Sequence, residues 1–233
     1  MSASKASASK TKEFKASVSK ARASRPEANP IMVSIGLALA IGTAVFGAVV
    51  SLKVWKNVSF AFLSRDIVSI GDLPAYAGFM SQLGVILWFA AATVCIIGAK
   101  VLAVQQRFLK FQQFLWFSGL LTILLGLDDA FLLHERFLPN MGIPEKVIMT
   151  FYGSIVAAYA CRFLHTILST QYVVLVSALM FFGVSISLDL FPIANIDPYL
   201  FEDGAKMVGI IAWFVYFYQT TMTAIRAAAP LES

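Results

Sequence analysis

An all-α fold, a polytopic membrane bundle of six transmembrane helices, is what three observations predict. Hydrophobic residues fill 59% of the 233 positions and charged residues only 13%, far from a soluble globular balance. Six apolar stretches each run for about 20 residues, enough for a helix to cross roughly 30 Å of hydrocarbon. None shows the ten-residue alternation of a barrel strand, and inside a bilayer only helices and closed barrels satisfy their own backbone groups.

The chain opens with residues 1–30, MSASKASASKTKEFKASVSKARASRPEANP, which carry seven basic residues, two acids and little apolar surface. Such a stretch buries too little to offset the entropy of ordering, so it reads as a disordered basic tail that anchors topology and touches anionic lipid. A cleaved organellar transit peptide shares that composition. The six spans follow within a transmembrane domain of residues 31–226: Ile31 to Leu52, Gly78 to Val101, Phe111 to Leu133, Val147 to Leu168, Tyr172 to Phe191 and Gly204 to Ile225. The loop KVWKNVSFAFLSRDIVSIGDLPAYA between the first two is the longest, and its middle predicts a short surface helix. Gly36, Gly42 and Gly47 in the first span predict close helix contact. Residues 227–233 form a short C-terminal tail.

Composition also excludes classes. Cys95 and Cys161 both lie inside apolar runs and build no disulfide framework. Nucleic-acid binding needs a basic folded face, whereas much of the basic excess here sits in the tail. The expected surroundings are the lipid bilayer, anionic lipids at the tail and other membrane proteins.

Six spans place both termini on one side, and positive residues choose the side. With the tail inside, the cytoplasmic segments total +9 and the opposite segments −4, which recovers the overall +5. The expectation is an integral protein of a bacterial inner membrane or its equivalent, with both termini cytoplasmic.

With that topology, three helices deliver acids to one level on the far side. The third span ends in Asp128, Asp129, His134 and Glu135, the fifth in Asp189, and the sixth opens with Glu202, Asp203 and Lys206. Ionisable groups at membrane depth are expensive and mark sites. At about 100° per residue, Asp128 and Glu135 share one face of a continuous helix, with Asp129 and His134 pointing elsewhere. Taking Leu133 as the span's edge, Asp128 lies about 8 Å deep. Ser185, one turn before Asp189, offers that acid relief, and Lys206 can pair within its helix with Glu202 and Asp203 or across to Asp128 or Asp189.

Crowded carboxylates resist joint ionisation, so at least one is expected to hold a proton near neutrality. This predicts a site for a cation or proton at Asp128, Glu135, Asp189, Asp129 and His134, with Glu202, Asp203 and Lys206 balancing charge or gating, in a transport-related protein. An intramembrane lipid-modifying or metal-dependent hydrolytic enzyme is the alternative, and an accessory subunit of a larger membrane complex is a third class. DDAFLLHE matches no metal-ligand spacing, and the sequence names no cofactor. The aromatic run WFVYFYQTTMTA, with Trp213, Tyr216 and Tyr218, predicts helix packing and an interfacial belt.

Ser118 and Asp128 loosely resemble the Ser and Asp of the alkaline ceramidase and adiponectin-receptor superfamily. Members of that superfamily hold zinc with three histidines. His134 and His165 are the only two here, so that centre is not expected. Lys206 and the third-span aspartates loosely resemble a microbial rhodopsin's, but Lys206 opens its helix instead of sitting mid-membrane.

Overall fold

The computed structural model describes residues 30–106, 108–191 and 197–228. The tails predicted over residues 1–30 and 227–233 lie outside them except for residues 30, 227 and 228, which are helical. Every element among the described residues is helical, and six helices are long and apolar enough to cross a membrane.

The described chain divides into two units. The first contains α1 (Pro30–Lys56), α2 (Phe60–Ser64) and α3 (Ile67–Ile70). The long loop therefore holds two short helices in place of one. Each starts where a side chain satisfies a free backbone N–H: Phe62 donates to Ser59 Oγ at 3.2 Å, and Ser69 donates to Asp66 Oδ1 at 2.7 Å. Within this unit, a Cβ added at Gly36, Gly42 or Gly47 meets nothing within 4 Å. Small residues permit close approach but do not compel it.

The second unit holds α4 (Phe79–Val104), α5 (Leu109–Phe131), a π turn (Leu133–Phe137), a 3-10 turn (Pro139–Met141), α6 (Glu145–Leu168), α7 (Tyr172–Leu190) and α8 (Pro198–Ala228). Helix α4 packs along both α5 and α8, α8 packs along α7, and α6 leans on α5. In lipid, such packing depends on how closely backbones approach. Here the small residues are concentrated at those contacts. A Cβ at Gly119 would stand 2.7 Å from Ile96 Cγ1 and 3.3 Å from the Ala92 carbonyl; one at Gly126 would stand 2.9 Å from Trp88 Cβ. On α4 the matching face is Gly84, Ala91, Ala92, Cys95, Gly98 and Ala99.

Aromatic rings fill the remaining space. Trp88 stacks on Phe182 at 5.7 Å between centroids and meets Trp213 edge-on at 5.8 Å. Trp213 and Tyr216 are buried as packing residues, whereas Tyr218 is exposed. Two polar bonds tie helices within this core: Trp213 Nε1 donates to Thr122 Oγ1 at 3.1 Å, and the Ser118 and Tyr159 hydroxyls lie 2.7 Å apart.

Candidate functional site

The α5 helix ends at Phe131 because Leu132 adopts a left-handed conformation, φ 49° and ψ 48°. That conformation is unfavourable for a branched apolar residue. Its N–H still donates to the Asp128 carbonyl, but the chain then winds into the π turn and doubles back. Two consequences follow for the acids. Asp128 stands three residues from the end of the helix, about 5 Å along its axis and closer to the end than a span to Leu133 implies. His134 swings onto Asp128, a position that a continuous helix denies it.

Asp128 is 7% exposed and satisfied by three donors. His134 Nδ1 donates to Oδ2, while the His134 backbone N–H and the Tyr152 hydroxyl each donate to Oδ1 at 3.0 Å. The second ring nitrogen, Nε2, lies 3.7 Å from Glu135 Oε1, and the imidazole is 20% exposed. Asp128, hydrogen-bonded to the ring, raises the His134 pKa above the ordinary histidine value; burial opposes this, the charges of Asp128 and Glu135 add to it, and Lys206 opposes.

Asp129 points to the other side of α5, into the contact with α4 and α8. Lys206 Nζ donates to its Oδ1 at 2.5 Å. A Cβ on Gly84 would stand 3.6 Å from its Oδ2, so glycine leaves room for the carboxylate. The pair is asymmetric: the Asp129 side chain is 8% exposed and that of Lys206 is 35% exposed.

The predicted residues thus fall into two adjacent couples, Asp128 with His134 and Asp129 with Lys206, and a remainder. Glu135 is exposed and reaches only the outer edge of the histidine, not the face of Asp128. Asp189 is exposed and makes no hydrogen bond to Ser185. Glu202 and Asp203 leave Lys206 to Asp129, with neither forming an ion pair within 4 Å among the described residues. A single pocket shared by all the acids is not what forms. Among the described residues, no group of three or more His, Cys, Asp or Glu side chains is arranged to hold a metal ion.

Tyr152 is the participant that sequence reasoning missed. A tyrosine two turns into an apolar span needs a partner for its hydroxyl, and here it donates to Asp128 on the preceding helix.

The profile of a family described as Domain of unknown function (DUF8692) matches residues 37–220, a stretch that holds every residue of both couples together with Tyr152. No curated protein and no solved structure matches the chain.

Proposed function

The chain belongs to this family, whose description carries no activity, and from that premise we propose a proton-responsive membrane protein in a transport-related role. The group that gains and loses the proton is His134. The observation that carries this reading is the placement of the His134 ring on Asp128, whose carboxylate accepts from Nδ1 and holds the imidazole pKa above its ordinary value. Imidazole changes charge nearest to neutral pH of all ordinary side chains, and the Nε2 edge of His134 remains partly open.

A proton fits this arrangement better than a metal cation. Lys206 already occupies the place beside Asp129 that a bound cation would fill. Glu135, Asp189, Glu202 and Asp203 contribute a negative field at the same end of the bundle, which raises the local proton concentration. We place that end outside the cytoplasm and both termini inside, in a bacterial inner membrane or equivalent, from the distribution of basic residues.

The test is proton flux into proteoliposomes containing a trapped pH dye. Wild-type protein should dissipate an imposed pH gradient faster than empty vesicles, and His134→Gln and Asp128→Asn should each reduce that rate by about tenfold or more, as loss of a positioned proton-transfer group does. Equal rates in wild type, variants and empty vesicles would remove the proposal.

A second reading draws on the same geometry. A histidine oriented by a carboxylate is also a general base, and His134 at the end of a span could activate water against a lipid ester. Release of fatty acid from defined phospholipid vesicles, lost in His134→Gln, would favour this enzyme over the transporter.

A further inference from the structure

The opposite end of the bundle carries a pocket unrelated to the acids. Helix α5 alone is about 34 Å long, so the two ends lie across a membrane's thickness from each other. The pocket, of about 420 Å³, opens between the start of α5, the turn joining α6 to α7, and the last turns of α8. That volume lies within the range of small-molecule sites, about 300–1,000 Å³. Its lining includes the rings of Phe108 and Phe111, the hydroxyls of Ser169, Thr170 and Thr223, and the amide of Gln219. No charged side chain lines it among the described residues.

The hydrogen-bond inventory narrows what would fit. Ser169 Oγ donates to the Thr166 carbonyl at 2.7 Å and Thr170 Oγ1 to the Ile167 carbonyl at 2.6 Å. The Tyr216 hydroxyl, 2.9 Å away, must therefore donate to Thr170. These hydroxyls have spent their protons on the protein and offer lone pairs. Gln219 Oε1 is buried without a hydrogen-bond partner. The Thr223 hydroxyl stands exposed at the rim and is committed to no partner, so it can both give and accept. Phe108 holds a left-handed backbone, φ 57° and ψ 48°, at the pocket's edge. Strain of this kind in a bulky residue is concentrated at ligand-holding positions.

We propose that this pocket binds an uncharged polyhydroxyl group the size of one sugar ring. Each ring hydroxyl both donates and accepts, which matches a lining of open lone pairs with an adaptable amide and hydroxyl. The apolar face of a sugar ring lies against aromatic carbon, which Phe108 and Phe111 supply. Among the described residues the lining offers an anion no charged partner, and a purely apolar ligand leaves the Gln219 amide unsatisfied. The same chemistry is available from a free sugar or from the headgroup of a glycolipid in the adjoining leaflet.

The experiment uses full-length protein purified in a detergent without a sugar headgroup. Glucose is titrated by calorimetry, and a monoglucosyl diacylglycerol is offered in phosphatidylcholine nanodiscs with retention read by native mass spectrometry. Saturable binding of glucose identifies a free solute as ligand, retention of the glycolipid alone identifies a headgroup, and both support the proposal. Gln219→Leu should weaken whichever binds by about tenfold, the factor for one lost hydrogen bond to a buried amide. Thr223→Val, at the exposed rim, repeats the test without touching the interior. Retained helicity and an unchanged pH response at His134 exclude misfolding as the cause. Binding of neither probe, or binding indifferent to both substitutions, overturns the proposal.

Discussion

Asp128 and Asp129 are neighbours in sequence with opposite partners and opposite expected behaviour. The Asp128 couple titrates through its histidine. Because the folded pKa of His134 is raised, its stabilising contribution is complete below the unfolded value of about 6.5 and is lost as pH climbs through the folded value. The melting temperature in detergent should therefore fall as the buffer moves from neutral to alkaline. His134→Gln should flatten that slope, and an identical slope in the variant would disprove the assignment. The Asp129 couple is instead an ion pair between α5 and α8. Breaking a fully buried pair costs about 3–5 kcal/mol; Lys206 is a third exposed, so Lys206→Met should cost less, on the order of 2 kcal/mol. Adding Asp129→Asn should recover much of the loss by removing the stranded charge, as measured by thermal unfolding of both variants.

At the level of elements, the number and type of the apolar helices were legible, since long apolar runs bounded by polar residues leave the backbone little choice, whereas the last helix starts at Pro198, six residues before the expected Gly204. The level of the acids follows from the same pattern: those at the ends of α5 and α7 and the start of α8 lie at one end of the bundle, though they do not all meet. The partners were not. Extrapolating the 100° helical increment beyond Phe131 aligned Asp128 with Glu135, but the left-handed Leu132 breaks that phase and substitutes His134. A single non-glycine residue with positive φ has no reliable signature in sequence. The glycines show a similar limit, because a Gly-rich face identifies what can pack closely and not which helix will. Gly119→Ala should destabilise by about 1–3 kcal/mol, since its Cβ meets Ile96 and an unyielding backbone carbonyl. Gly153→Ala on α6 meets nothing within 4 Å and should be neutral or up to about 1 kcal/mol stabilising. Paired unfolding curves check both.

Within the second unit, the two candidate sites stand at opposite ends of a ring-filled middle that is tied by Trp213–Thr122 and Ser118–Tyr159. If the acidic end faces away from the cytoplasm, a cysteine replacing the exposed Glu145 should react with a membrane-impermeant thiol reagent from outside intact cells, and one replacing Lys110 should not. Cys161 is replaced by Ser beforehand, and the reverse pattern would invert the orientation. The positions of the two aspartates' partners along the chain also bear on synthesis. Asp128 meets its histidine six residues later, so that charge is matched as soon as the hairpin emerges from the ribosome. Asp129 waits for an ammonium 77 residues downstream. If the spans enter a bilayer in chain order, Asp129 has no ammonium beside it until the last helix arrives.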